Sequence, residues 1–142
     1  MAILWPAFAL FALTMTVVFV LARGRFAAAR AGRVDPRYYR SFQGGGEPED
    51  VAVVSRNLSN LYEMPTLFYA GVAIAFAAGE SGPLLVALAW VYVALRAAHS
   101  VIHLRWNRVR WRFRVFAVSW AVLIAFWAAL GLGIAGAAPA PG

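Results

Sequence analysis

The 142-residue chain is 63% apolar and 13% charged, and it holds no Cys. Soluble domains sit near roughly 45–50% apolar and 25% charged, so the composition argues against a soluble domain and for a membrane protein. The missing Cys excludes a disulfide framework, a thiolate metal site and a Cys nucleophile; thiol chemistry would need a thiol brought by a substrate. Net charge is +7 and every basic residue is Arg.

Residues 2–22 are apolar apart from Thr14 and Thr16, long enough to cross a hydrocarbon core of about 30 Å. A cleaved signal peptide wants a basic start. Here the start is Met1-Ala2-Ile3-Leu4-Trp5 and the Arg residues come afterwards, so the expectation is a retained transmembrane helix. Pro6 falls in its first turns, where a missing N–H costs little.

The first connection carries Arg23, Arg25, Arg30, Arg33, Arg37 and Arg40 and ends in the loop signal Gly44-Gly45-Gly46-Glu47-Pro48. Its stretch 25–32 can continue the helix past the membrane. Glu49 and Asp50 then open a second helix, predicted over 49–78, where acids suit the positive helix end. It is longer than a minimal span and is expected to project into the cytoplasm, and Pro65 should kink it. Gly79-Glu80-Ser81-Gly82-Pro83 reads as a tight turn with Pro83 as first residue of a third helix over 83–104. The second basic connection, Arg105 to Arg112, leads into a fourth helix over 112–134, and an Ala/Pro/Gly tail from Gly136 is expected to fray.

The expected architecture is therefore an all-α integral membrane protein: one domain over 1–142, folded as a four-transmembrane-helix bundle. All thirteen Arg lie in the first and last connections or the helix ends beside them; the middle connection and both termini hold none. By the positive-inside rule both Arg-rich ends are cytoplasmic, and both termini lie on the non-cytoplasmic side.

Two polar stripes interrupt the apolar helices. Arg56, Asn60 and Glu63 fall within about 60° of one another on the second helix. Arg96, His99, Ser100 and His103 form a matching stripe on the third. Both occupy the cytoplasmic half, so they are expected to face each other, with Glu63 and Arg96 as a buried pair. Polar side chains at this depth must face protein or water. Either they are structural glue, worth only about 0.6–2 kcal/mol per contact, or they bind a polar ligand.

His99 and His103, four apart, have metal-chelating spacing, and Glu63 can complete a His-His-carboxylate set. The Glu of a zinc-protease helix is missing between them, and two His on one helix do not suit axial haem ligation, so neither metal nor haem is expected. Arg105, Arg108, Arg110, Arg112 and Arg114 interleave with Trp106, Trp111 and Phe113. In a soluble chain that suggests single-stranded nucleic acid; beside two spans it is the ordinary interfacial pattern, and no nucleic acid is expected.

Taken in order, Arg56-x-x-x-Asn60-x-x-Glu63 and Arg96-x-x-His99 resemble the MAPEG family, the membrane-associated proteins in eicosanoid and glutathione metabolism. The run from Asn60 to Tyr69, the run from His99 to Leu104, Asn107-Arg108-Val109 and Arg112-Phe113 look like its bacterial branch. The resemblance implies a homotrimer in the bacterial inner membrane, with glutathione as thiol co-substrate held between subunits toward the cytoplasm. It implies glutathione contacts from Asn60, Glu63 and His99, support from Arg56 and Arg96, and thiol activation by Arg112. His103 completes the proposed binding set, and Arg23 or Arg25 fills the place of a contributing Arg at the end of the first helix. Three positions depart from better-known members: Leu58 stands where His or Gln is frequent, His103 where Tyr is usual, and Pro65 follows Glu63 by two. The implied activity is conjugation or reduction of a lipophilic electrophile reaching the site from the bilayer, as a glutathione transferase or peroxidase. The alternative is a non-catalytic protein of the same fold that binds a lipid or a protein partner.

Overall fold

The computed structural model describes residues 1–43 and 45–137. Gly44 of the predicted loop and residues 138–142 of the predicted tail lie outside the described residues. Five helices follow one another: α1 (Leu4–Arg30), α2 (Tyr38–Ser41), α3 (Glu49–Ala77), α4 (Pro83–Arg105) and α5 (Val109–Ala137).

α1 continues beyond the span predicted over 2–22 to Arg30, as its stretch 25–32 allows, because the Ala27-Ala28-Ala29 run favours helix and Ala28 packs into a small core with Leu21, Val34 and Val51. Gly32 ends it at φ 67°. Its N–H reaches the Ala29 carbonyl at 3.1 Å and the Arg33 N–H reaches that of Ala28 at 2.9 Å, a Schellman closure that needs a left-handed residue. α5 begins at Val109 rather than 112 and continues to Ala137 rather than 134. Pro65 sits buried inside α3 without ending it.

The buried residues of α1 – Pro6, Leu10, Thr14, Val17, Leu21 and Ala28 – recur at helical spacing and form one stripe. Its other faces show Trp5, Phe8, Phe11 and Phe19, all more than half exposed. An aqueous surface does not carry so much contiguous aromatic area, whereas a lipid-facing one does. α1, α4 and α5 are each long and apolar enough to span a membrane. α3 falls short of that measure, because Glu49, Asp50, Arg56, Asn57, Asn60 and Glu63 crowd its first half.

α1 packs on α3 and α4, and α5 on α4 and α3. Phe68 of α3 stacks on Tyr92 of α4 with centroids 4.7 Å apart, and Phe126 of α5 closes in at 5.7 Å. Gly71 makes this approach possible: a Cβ there would lie 2.7 Å from the Phe126 ring. Small residues at such crossings let helices pack closely where lipid gives no hydrophobic drive.

The first connection folds back onto the helices. Arg33 grips the Asp50 carboxylate through three hydrogen bonds of 3.0–3.2 Å. Arg25 pairs with Glu47 at 2.6 Å and donates to the Ser55 hydroxyl at 3.3 Å. Short α2 carries the Tyr38, Tyr39 and Phe42 aromatic cluster.

Candidate functional site

The stripe of α4 turns inward. Arg96, His99, Ser100 and His103 continue the line of Leu85, Ala89, Tyr92 and Val93, and all are buried. Arg96 is fully enclosed. Its Nη2 donates to the Asn60 carbonyl of α3 at 3.1 Å, and its guanidinium lies 5.8 Å from the Phe116 ring centroid of α5. The same ring lies 6.0 Å from that of His99. One backbone oxygen and one aromatic face thus hold the buried cation.

The stripe of α3 does not turn inward, contrary to expectation. Arg56 is exposed and pairs with Glu49, two turns earlier on the same helix, at 2.6 Å. Glu63 is exposed, and no ion pair joins it to Arg96; the three ion pairs among the described residues are Arg25–Glu47, Arg33–Asp50 and Arg56–Glu49. The physical reason is register. The buried line of α3 runs through Asn57, Leu61, Pro65, Phe68, Val72 and Ala75, which lies roughly 100° or more around the helix from Arg56 and Glu63. Asn60 sits at the edge between the two lines and is half-buried.

Asn57 is the residue that stripe counting misses. It is fully buried, and neither side-chain polar atom has a hydrogen-bond partner among the described residues. Its signal was present in its i, i+4 register with Leu61 and Pro65. Both ring nitrogens of His103, the Nδ1 of His99 and the Ser100 hydroxyl likewise have no hydrogen-bond partner among the described residues. Together they form a polar seam of unusual hydrogen-bonding capacity for a helix interior.

Arg112 enters from α5. Asn107 adopts φ 44° just past α4, its N–H capping the Ile102 carbonyl at 2.8 Å. Its Oδ1 then accepts from Arg112 Nη1 at 2.7 Å, so the turn that reverses the chain also aims the guanidinium. Asn60, His99 and Arg112 line one open cleft of about 220 Å³ with Val109, Phe113 and Phe116. Three helices each supply one of the predicted polar residues. Arg56, Glu63, Arg96 and His103 do not line it, nor do Arg23 and Arg25. Arg25 is committed to Glu47, and Arg23 lies over the Phe19 ring at 5.7 Å. No group of three or more metal-ligating side chains comes together among the described residues.

A bundle of lipid-facing helices with a buried polar seam and a cation-bearing cleft at its Arg-rich end defines an integral membrane protein. Residues 3–132 match the model of the MAPEG family, and the chain belongs to that family. No curated protein and no solved structure matches it.

Proposed function

We propose that this protein is a membrane-bound thiol-dependent transferase or peroxidase that uses glutathione, or a related low-molecular-weight thiol, on lipophilic electrophiles. The observation that carries the reading is the meeting of Asn60, His99 and Arg112 in one cleft. Asn60 and His99 offer hydrogen bonds to a peptide-like ligand. Arg112 offers a fixed cation to a carboxylate or a thiolate, and a nearby cation lowers a thiol's pKa. The thiol gives its proton to solvent, and the thiolate sulfur attacks an electrophilic carbon, whose leaving group departs with its bonding electrons or whose conjugated double bond takes up a proton from solvent. On a peroxide the sulfur takes one oxygen as the O–O bond breaks, and the other oxygen leaves as an alcohol after gaining a proton. A second thiol then converts the sulfenic acid to disulfide and water. The lipid-facing flanks of α4 and α5 let an apolar substrate arrive sideways.

At about 220 Å³ the cleft is smaller than ligand sites of roughly 300–1,000 Å³. Exposed Arg56 and Glu63 lie on a face that one chain leaves open. Both facts support an assembly in which a neighbouring copy completes the site with these residues, and membership of the MAPEG family makes a homotrimer the assembly proposed. α3 serves as a fourth span in this reading, its polar face covered by that neighbour, and the whole chain forms one domain. The Arg-rich end then faces the cytoplasm of a bacterial inner membrane, and both termini lie opposite.

Binding of glutathione and other small thiols to the purified protein tests the reading. Saturable binding with conjugating or peroxidase turnover supports it. Binding of lipid alone, with no thiol affinity, would replace it by the non-catalytic alternative.

A further inference from the structure

The α4–α5 turn carries charge that the Asn60–His99–Arg112 cleft does not use. Arg105, Arg108, Arg110 and Arg114 flank Arg112 within ten residues that include no acid, and none of these four joins an ion pair among the described residues. Two clefts adjoin here. One, of about 300 Å³, is mainly apolar and lined by Ile102, Trp106, Arg108 and Trp111. The other, of about 480 Å³, is lined by Arg108, Val109, Arg110, Trp111 and Arg114. Arg108 and Trp111 line both and form the shared wall. The Arg114 guanidinium lies 5.2 Å from the Trp111 ring centroid, which holds that cation at the rim. α4, apolar enough to span, ends at Arg105 and α5 begins at Val109. The turn therefore falls at the depth where hydrocarbon gives way to headgroups, where Trp is enriched.

We infer that this double cleft binds an anionic phospholipid, its phosphodiester held by Arg108, Arg110 and Arg114 and the start of an acyl chain lying along Ile102 and Trp106. The argument is one of complementarity. A zwitterionic lipid brings its own cation to a surface that already holds several. A soluble phosphate leaves the apolar half unused. An anionic lipid matches both halves at the depth where both are found, and juxtamembrane Arg residues are the usual means of attracting such headgroups. The site is separate from Arg112, which turns toward Asn107 and the other cleft.

Native mass spectrometry of the detergent-purified protein tests this, with phosphatidylglycerol compared against phosphatidylcholine of the same acyl chains. Wild type retains one phosphatidylglycerol per chain in preference to phosphatidylcholine. Arg108→Ala with Arg110→Ala weakens that retention about 30-fold, at roughly a tenfold change per 1.4 kcal/mol and about 1 kcal/mol per Arg. Arg108→Lys with Arg110→Lys recovers most of it, which separates lost charge from lost folding. Arg37→Ala with Arg40→Ala removes the same charge from the first connection and leaves retention within about twofold. Trp106→Ala weakens long-chain phosphatidylglycerol more than a short-chain analogue. Equal retention of the two lipids overturns the inference, as does an equal loss in the Arg37/Arg40 variant. Displacement of the lipid by millimolar inorganic phosphate overturns it in favour of a free-anion site.

Discussion

Replacing Arg112 by Ala should raise the pKa of a bound thiol while sparing most of the binding. The Arg112 side chain is half-buried at the mouth of the cleft. A unit charge about 4 Å from a thiolate is worth about 4 kcal/mol at an effective dielectric of 20 and about 1 kcal/mol in bulk water. Half-burial places Arg112 between those limits, which corresponds to about 1–3 pKa units. A free thiol near 8.5 would then ionise between roughly 5.5 and 7.5 when bound. Asn107 engages only Nη1 of Arg112, and a guanidinium has five N–H donors, so its charge can face the sulfur while that bond is kept. Titration of thiolate ultraviolet absorbance on the protein–thiol complex reads the value directly. Arg112→Ala should return it to within about half a unit of the free thiol. Arg110 and Arg114 are exposed and line the other cleft, so their Ala variants should move it by a few tenths. Equal shifts at all three positions would refute the assignment, because a diffuse basic surface would then explain the effect.

Gly71→Ala should cost about 1–3 kcal/mol, since its Cβ would meet the Phe126 and Trp127 rings; an unchanged thermal midpoint in detergent would mean that α3 and α5 do not approach this closely. Glu63→Gln should shift stability of the isolated chain by less than about 0.5 kcal/mol, because Glu63 joins no ion pair among the described residues. The same variant should lower thiol affinity if a neighbouring subunit completes the site, and titration calorimetry separates the two effects. Particle mass in mild detergent should correspond to three chains; a monomer that binds thiol at full affinity would exclude an intersubunit site. The Arg33 side chain holds the Asp50 carboxyl below its usual range, so this contact stabilises docking of the first connection above the ordinary carboxyl pKa near 3.8. That contribution is lost as pH falls through the lower folded-state value. Protection of the amides of residues 33–42, taken relative to their intrinsic exchange rates at each pH, should therefore hold at pH 5 and fall only in stronger acid, and Asp50→Asn should remove the Arg33–Asp50 part of that pH dependence.

The apolar periods of α1, α4 and α5 alone established that these segments are helices of membrane-spanning length, because a run of some twenty apolar residues has few other stable forms. Gly79 and Pro83 marked helix ends by local backbone chemistry, which depends on neighbours in sequence rather than on the fold. The polar residues of α4 were also legible, since Arg96, His99 and His103 share a face with the apolar stripe that must be buried. The α3 stripe was not. Helical spacing groups Arg56, Asn60 and Glu63, but it cannot say whether that group or the line through Asn57 and Leu61 meets α4. Packing of Phe68 on Tyr92 and of Gly71 against Phe126 decided the rotation, and it turned Asn57 inward and Glu63 outward. α2 and its aromatic cluster were likewise hidden, because four residues carry no period. Only the tertiary structure could bring Asn60, His99 and Arg112 to one cleft, since spacing along three helices leaves their relative rotation and depth free until the side chains between them are packed.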